Sequence, residues 1–200
     1  MLIEHLGRRP TIDRTARIAP TAVICGDVRI GADTSIGFGA VLSAESGPIV
    51  VGAQCVIMEN AVIRGTRRHP ATVGDDVLVG PGAYLSGCTI RECAFLATGC
   101  RVFNGAIVGA RAEVRINATV HLLTRLPEDA TVPIGWVAVG DPVRILPPDA
   151  HDEIWAIQEP LDFPKEIFGV DRPAPGDTRM PEMMARYCRA LSRHRDDRIL

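Results

Sequence analysis

A six-residue repeat constrains this chain more than any other feature of its sequence. An aliphatic residue recurs every six positions, and a small or β-branched residue follows four places later, as in Ile24 with Val28 and Ile36 with Ala40. The register continues with few breaks from Ile12 to Val120. A repeat of this kind buries its apolar side only by stacking on its neighbours, so the period indicates a solenoid.

The period of six also indicates the shape of the solenoid. An α-helix would space its apolar residues by three and four, and a half-buried strand would alternate them. Six residues fit one short strand and a turn, so that three such sides close one coil. Successive coils then stack at about 4.8 Å, the ordinary strand spacing. We predict an all-β, parallel β-helix of hexapeptide repeats for residues 1–148.

The pattern changes in residues 149–200, which we predict to form a C-terminal segment of α-helices. Residues 149–159 have the spacing of an amphipathic helix that would pack Trp155 on the β-helix wall. Residues 162–177 are rich in proline and are predicted to be irregular. Residues 180–197 predict a second helix, and the charged run of residues 193–198 is expected to be solvated.

Composition limits the classes of partner. The net charge is −2 and the isoelectric point is near 6.2, which gives no general attraction to nucleic acid or to an anionic membrane. No apolar run reaches the length of a membrane span, and residues 1–10 lack the apolar core of a signal peptide. We therefore expect a cytoplasmic protein with neither nucleic acid nor membrane as a partner.

The six cysteines show no metal-binding or redox spacing. Cys55 and Cys100 fall on the small inward position of their hexads, where they are predicted to fill the core. Cys88 and Cys93 are predicted to lie in turns.

The repeat breaks at three places, and extra residues in a solenoid leave it as loops, often on the working face. Additional residues follow Leu42 and again Ile63, and one residue is missing between Leu85 and Ile90. The second insertion holds the only concentrated basic cluster of the repeat region: Arg64, Arg67, Arg68 and His69. Guanidinium groups bind phosphates and carboxylates in bidentate fashion, so this insertion is a candidate anion site.

Residues 26–144 resemble the γ-class carbonic anhydrase family of hexapeptide-repeat proteins. The resemblance implies a left-handed β-helix, a homotrimer with a C-terminal helix beside each β-helix, and zinc sites between subunits. It rests on the order and spacing of these stretches: Gly26-Asp27-Val28-Arg29-Ile30-Gly31, Ser35-Ile36-Gly37-Phe38-Gly39-Ala40-Val41-Leu42, Gly47-Pro48-Ile49, Asn60-Ala61-Val62-Ile63, Pro70-Ala71-Thr72-Val73-Gly74-Asp75, Ser86-Gly87-Cys88-Thr89-Ile90 and Val139-Gly140-Asp141-Pro142.

The resemblance also implies three zinc-binding histidines, and these fall on Arg64, Pro81 and Ser86 in this sequence. None of the three is a histidine, and catalytic zinc requires about three imidazole, thiolate or carboxylate ligands. We therefore expect no metal at this site, and zinc is not an expected cofactor. Carboxylates remain at two neighbouring acidic positions, Glu45 and Glu59, which favours a remodelled pocket.

The first functional hypothesis is a hexapeptide-repeat transferase. Acyltransferases of similar fold bind acyl-coenzyme A between subunits and use a histidine as general base, so a coenzyme A thioester is the candidate cofactor. The candidate catalytic residues are His69, Glu45 and Glu59. The candidate substrate-binding residues are Arg64, Arg67, Arg68, Pro81, Tyr84 and Ser86.

Three alternatives remain open. The chain can be a non-enzymatic binding or assembly protein in which Arg64, Glu45 and Glu59 form an ion-pair cluster between subunits. It can be a carbonic anhydrase with an atypical metal site. It can also be a metal-free lyase or isomerase that uses Glu45 and His69 as acid and base.

Overall fold

The computed structural model describes residues 1–200 and confirms the predicted architecture, a left-handed parallel β-helix followed by short helices. Most strands are only two or three residues long, because each side of a coil is short and ends at a corner. No helix combines the length and the apolar character that crossing a membrane would require.

The strands are β1 Leu2–Glu4, β2 Thr11–Ile12, β3 Arg17–Ile18, β4 Val23–Ile30, β5 Ser35–Ile36, β6 Val41–Val51, β7 Val56–Ile57, β8 Val62–Arg64, β9 Ala71–Val73, β10 Leu78–Val79, β11 Tyr84–Ser86, β12 Thr89–Ile90, β13 Phe95–Leu96, β14 Arg101–Val102, β15 Ile107–Val108, β16 Glu113–Val114, β17 Thr119–Val120, β18 Arg125–Leu126, β19 Thr131–Val132, β20 Val137–Val139, β21 Arg144–Leu146 and β22 Arg198–Ile199. The α-helices are α1 His151–Gln158, α2 Phe163–Phe168 and α3 Met180–Leu191, with 3₁₀ turns at Glu159–Leu161 and Ser192–Asp196.

Three faces, each built of parallel strands, enclose the core. One face is a separate seven-stranded sheet in the order β19-β16-β13-β10-β7-β5-β3. The other two faces join into one sheet, because the long strands β4 and β6 continue through the corner between them. Aliphatic residues stack directly above one another, as Ile36 does on Ile57. This alignment keeps every inward side chain in contact with its counterparts in the next coil.

The strand pairing reveals where residues were added. Ile24 pairs with Leu42, which is the ordinary interval of one coil of three hexads. The next two pairings in the same stack of strands join Leu42 to Ile63 and Ile63 to Leu85. Both span more residues than one ordinary coil. The step from Leu85 to Val102 is shorter. The two predicted insertions and the predicted deletion are therefore confirmed. The inward side chains remain in register from coil to coil across all three.

The interior is filled by the residues that the repeat predicted. Ile36 and Leu42 are fully buried, as is the small residue Ala40. The fifth positions Thr34 and Thr124 are polar and fully buried, and Thr34 illustrates how such a hydroxyl is satisfied. Its Oγ1 donates to the carbonyl oxygen of Gly52 at 2.8 Å and accepts from the backbone N–H of Cys55 at 3.0 Å. Both hydrogen-bonding capacities of this buried hydroxyl are thus satisfied.

Two predictions for the C-terminal segment are wrong in part. Helix α1 forms as expected, but Ile154 is the residue that packs on the β-helix end, against Val139 and Leu146. Trp155 lies on the outer side, 44% exposed, with the guanidinium of Arg172 at 5.4 Å from its ring centre. The proline-rich stretch also contains helix α2. Pro164 is compatible with this helix because it occupies the first turn, where the backbone N–H has no partner within the helix.

The charged run of residues 193–198 is mostly exposed, as predicted, but His194 and Asp197 within it are partly buried. Strand β22 pairs antiparallel with β1, which itself pairs parallel with β4. The C-terminal segment therefore runs along the outside of the solenoid and returns to its N-terminal coil. Asp197 contacts His5 there, at 2.6 Å between Oδ1 and Nδ1. The contact of Asp197 with His5 could not be predicted, because His5 lies at the opposite end of the sequence.

The cysteine predictions have mixed outcomes. Cys55 and Cys100 are fully buried, as predicted. Cys93 lies in a turn with a φ of 58°. Cys88 is buried instead, because the preceding Gly87 takes the left-handed turn with a φ of 52°. Burial raises the pKa of the Cys88 thiol to about 12, which makes it a poor nucleophile.

The stacking of inward side chains predicts that substitutions at neighbouring positions of one strand differ sharply in their effect on stability. Replacing Ile36 by Ala should lower the free energy of unfolding by about 2–5 kcal/mol, because it leaves a cavity in a closed stack. Replacing the outward Ser35 by Ala should change it by less than about 0.5 kcal/mol. Denaturant unfolding of both variants measures the difference, and equal losses would contradict the assigned inward face.

Candidate functional site

A cavity of about 380 Å³ lies where the two insertions meet the C-terminal helices. Its floor comes from strands β8 and β11 and from the turn after β14. Its sides come from the two inserted segments, and α2 and α3 cover it. The cavity-lining side chains with polar groups are Glu45, Ser46, Arg64, Thr66, Arg67, Arg68, His69, Tyr84, Ser86, Asn104, Glu166, Tyr187, Arg193 and His194.

The two insertions support each other. The backbone N–H of Gly65 donates to the carbonyl oxygen of Ser43 at 3.1 Å. A Cβ atom on Gly65 would come within 2.1 Å of the carbonyl oxygen of Gly47, so the close approach requires glycine. Deeper in the loop, the amide of Asn104 donates to Thr66 Oγ1 at 3.2 Å, and that hydroxyl donates to the carbonyl oxygen of His69 at 2.9 Å. The loop that carries His69 therefore has a defined shape.

Arg64 lies at the centre of the first polar cluster. Its Nη2 donates to Glu45 Oε2 at 2.8 Å and to the hydroxyl of Tyr187 at 3.0 Å. Both charged side chains are about one-quarter exposed. Burial opposes the charge of Arg64, but the Tyr187 hydrogen bond and the Glu45 carboxylate reverse that effect and raise its pKa above the ordinary value. The guanidinium is therefore permanently charged and committed to this pair.

His69 belongs to a second cluster on the same loop. Its Nε2 lies 2.8 Å from Glu166 Oε1, and Arg68 Nη1 lies 2.8 Å from Glu166 Oε2. The carboxylate comes from α2, so a residue of the C-terminal segment bridges two residues of the insertion. The Nδ1 atom of His69 has no hydrogen-bond partner within the chain. This leaves one ring nitrogen without a hydrogen-bond partner, on the side of the ring that lies beside Gly105.

The predicted site residues separate into two groups. Seven of them line the cavity: Glu45, Arg64, Arg67, Arg68, His69, Tyr84 and Ser86. Glu59 and Pro81 do not line it. Glu59 is exposed at a corner, where its carbonyl oxygen accepts from Gly82, and Pro81 lies beside it at the same corner. Of the cluster expected between subunits, Arg64 and Glu45 pair within the single chain, and Glu59 of the same chain does not join them.

The positions to which the resemblance assigns zinc do not fit that metal. Ser86 pairs in register with Arg64, so these two positions are neighbours on adjacent strands. Neither offers an imidazole, and the guanidinium that stands there is bound to Glu45. Pro81 has no side-chain donor at all. A divalent cation would face a fixed positive charge with no three-ligand set, so no reaction step is assigned to zinc here.

Sequence reasoning missed Glu166 and Tyr187. They contact residues that are 97 and 123 positions away in the chain. No local period indicates such contacts. Tyr187 was assigned to the packing side of its predicted helix, and it does face the body of the protein, but its functional contact is the hydrogen bond from Arg64. Glu166 lies in the stretch that was predicted to be irregular.

Comparison with known proteins identifies the class of fold. No family model matches the chain. A Bacillus cereus crystal structure provisionally described as an acetyltransferase shares the fold, with a TM-score of 0.61, 24% identity, and coverage of 76% of this chain and 87% of that one. The protein is therefore a hexapeptide-repeat, left-handed β-helix protein.

Sequence relatives narrow the class. Mitochondrial gamma carbonic anhydrase 1 of Arabidopsis thaliana is 31% identical over 164 residues, which cover 79% of this chain and 58% of the relative. The carbonic anhydrase of Geobacillus kaustophilus is 31% identical over 109 residues, covering 54% and 60% respectively. Carnitine operon protein CaiE of Escherichia coli K12 is 32% identical over 108 residues, covering 54% and 55%. The chain belongs to the γ-class carbonic anhydrase-like hexapeptide-repeat family, and it spans little more than half the length of these relatives.

The Arg64–Glu45 pair predicts that substitutions at these two residues have coupled effects on the free energy of unfolding. Truncating Arg64 to Ala leaves a partly buried carboxylate without a partner, so the double variant Glu45→Ala, Arg64→Ala should be less destabilised than the two single variants imply. We expect a coupling of about 0.5–3 kcal/mol in a double-mutant cycle measured by denaturant unfolding. The solvent-exposed pair Arg111–Asp129 is the control and should show a smaller coupling. Additive effects at Arg64 and Glu45 would contradict the pairing.

Proposed function

We propose that this protein is a transferase-like enzyme that acts on a small anionic molecule in the cavity between the insertions and the C-terminal helices. The observation that carries the proposal is the pairing of His69 with Glu166 at the edge of that cavity. The pairing leaves His69 Nδ1 without a partner in the chain, and His69 lines the cavity. A histidine oriented by a carboxylate is a common general base.

The chemistry follows from the two ring nitrogens. Glu166 accepts a hydrogen bond from Nε2–H, which favours the tautomer with an unprotonated Nδ1. That nitrogen takes the proton of an acceptor hydroxyl or amine as the acceptor atom attacks the carbonyl carbon of an acyl thioester. The imidazolium is stabilised by Glu166 and then returns the proton to the departing thiolate. In this scheme Glu166 is a positioning residue and His69 the catalytic base.

Arg67 is the best candidate for anion recognition among the three predicted arginines. Arg64 and Arg68 already form ion pairs with Glu45 and Glu166. Arg67 borders the same cavity and forms no ion pair within the chain. Arg193 of the C-terminal segment also borders the cavity without an ion-pair partner. Two free guanidinium groups at one opening suit a phosphate or a carboxylate.

The size of the cavity limits what it can hold. Its volume of about 380 Å³ lies at the small end of ligand pockets, which measure about 300–1,000 Å³. It accommodates an acyl group and a small acceptor, with the rest of a coenzyme A thioester outside. Carbonic anhydrase activity has less support, because Arg64, Pro81 and Ser86 supply no zinc ligand set. Glu45 is held by Arg64, which also weakens its assignment as an acid or base.

We propose that this protein is located in the cytoplasm, although the Arabidopsis relative is described as mitochondrial.

The proposal predicts that acetyl-coenzyme A binds the wild-type protein in the millimolar range or tighter by calorimetry. Arg67→Ala should weaken binding at least tenfold, whereas Arg91→Ala, an exposed arginine remote from the cavity, should leave it unchanged. His69→Gln should keep binding but lower thiol release about 100-fold or more, tested with small amines and alcohols that carry a carboxylate or phosphate.

Two results would overturn the enzymatic proposal. One is the absence of acetyl-coenzyme A binding by the wild-type protein at millimolar concentration. The other is thiol release by His69→Gln at the wild-type rate.

A non-enzymatic binding or assembly protein is the second candidate, and a specific observation favours it. Arg64 and one ring nitrogen of His69 are already paired within the chain itself, through Glu45, Tyr187 and Glu166. Such a closed network suits a structural role as well as a catalytic one. In this candidate the protein is a homotrimer, and its trimer binds no coenzyme A.

An apolar stripe supports the homotrimer in either candidate. Val56, Leu78 and Phe95 follow one another on the outward side of one face, and Val56 and Phe95 are well exposed in the single chain. Exposed apolar patches of this kind often mark interfaces.

Light scattering should therefore give three chains for the wild-type protein and fewer for Phe95→Lys. Thr131→Lys, farther along the same face, should remain trimeric because Thr131 lies outside the stripe. A monomeric wild type, or a trimeric Phe95→Lys, would contradict this interface.

A further inference from the structure

Four side chains with metal-binding atoms meet at the N-terminal coil, outside the Arg64–Glu45 pair. They are His5, Cys25, His194 and Asp197, and their ligand atoms all lie within 4.8 Å of one another. His5 and Cys25 are buried, at 3% and 4% exposure, and the other two are partly buried. None of the four is a position to which the family resemblance assigns a metal ligand.

Two separate parts of the chain supply the four residues. Strand pairing of β1 with β4 sets Ile3 beside Cys25, which brings His5 near that thiol. Pairing of β22 with β1 sets Arg198 beside Glu4, which brings Asp197 to the same place. The cluster therefore joins the first coil of the β-helix to the end of the C-terminal segment.

Both imidazoles face the carboxylate of Asp197. Asp197 Oδ1 lies 2.6 Å from His5 Nδ1, and Asp197 Oδ2 lies 2.7 Å from His194 Nδ1. The two rings stack with their centres 4.3 Å apart, and the Cys25 sulfur lies 3.9 Å from Asp197 Oδ2. Two histidines therefore present the same ring nitrogen to one carboxylate, and the thiol lies near the carboxylate oxygen that also faces His194.

This set of atoms matches the preferences of zinc. Zinc is bound tetrahedrally by imidazole nitrogen, thiolate sulfur and carboxylate oxygen, at about 2.0–2.3 Å. Ligand atoms around such an ion are about 3.3–3.8 Å apart, so movements of about 1 Å close the cluster around it. One thiolate and one carboxylate also neutralise the charge of a divalent ion.

We propose that His5, Cys25, His194 and Asp197 bind one zinc ion, which fastens the C-terminal segment to the first coil of the β-helix. Binding releases the proton of the Cys25 thiol to solvent. Each imidazole binds through Nδ1 as the neutral tautomer with its proton on Nε2, so the proton that Nδ1 shares with Asp197 leaves that nitrogen for solvent. His194 also borders the cavity that contains His69. The ion thus holds the end of the segment that covers this cavity, and it takes no part in the proposed transfer reaction.

The experiment uses the full-length chain without a histidine tag, stripped of metal by a chelator. Calorimetry with zinc chloride should show one site per chain, and cobalt should give the near-ultraviolet charge-transfer absorption of a thiolate ligand. Cys25→Ala and His194→Ala should each weaken zinc binding by more than about 100-fold, since even outer-shell partners contribute about 10- to 100-fold. Cys93→Ala and His151→Ala, at exposed positions elsewhere, are the matched controls and should bind normally.

Zinc should also raise the melting temperature of the wild type and of both controls, but not of the two site variants. His194 is partly exposed, so His194→Ala tests the site even if Cys25→Ala fails to fold. The proposal is wrong if the wild type binds no zinc at micromolar concentration. It is also wrong if His194→Ala binds as tightly as His151→Ala, which would leave the cluster as hydrogen-bonded pairs only.

Discussion

The in-register stacking of inward side chains, one coil upon the next, is the constraint on which the rest of the molecule depends. Leu42, Ile63 and Leu85 occupy the same position in successive coils, although the chain between them is longer than one ordinary coil. A solenoid that keeps this register can place extra residues only outside itself. The insertions that carry Glu45 and His69 are therefore displaced toward solvent on one side, and that side becomes the site.

The C-terminal segment completes what the insertions begin. A projecting loop alone would expose its charges to water, where ion pairs contribute little. Helices α2 and α3 cover the loop and bring Glu166 to His69 and Tyr187 to Arg64. The segment then continues to the first coil, where Asp197 joins His5. Its first helix packs on the β-helix through Ile154, and its last residues are held by the pairing of β22 with β1 and by the contact of Asp197 with His5.

The sequence predicted whatever depends on local period and failed where contacts are distant. The hexads predicted the three faces, the insertions and the buried positions, because every coil repeats the same local rule. Trp155 was misassigned because helical spacing identifies an apolar side but not which residue faces the β-helix. Glu166 could not be linked to His69, nor Asp197 to His5, since no periodicity connects positions so far apart. The four-residue cluster at the first coil was missed for the same reason, although both histidines and the thiol are visible in the sequence.

We propose that a guanidinium–carboxylate pair and no metal occupies the position to which the resemblance assigns zinc, while zinc-binding atoms are gathered at the first coil. Anomalous diffraction at the zinc edge, from crystals of the full chain grown with zinc, tests both parts in one map. We predict a single peak about 2.0–2.3 Å from the donor atoms of His5, Cys25, His194 and Asp197, with Arg64 still bound to Glu45. A peak beside Arg64 and Ser86, or no peak at the first coil, would contradict the account.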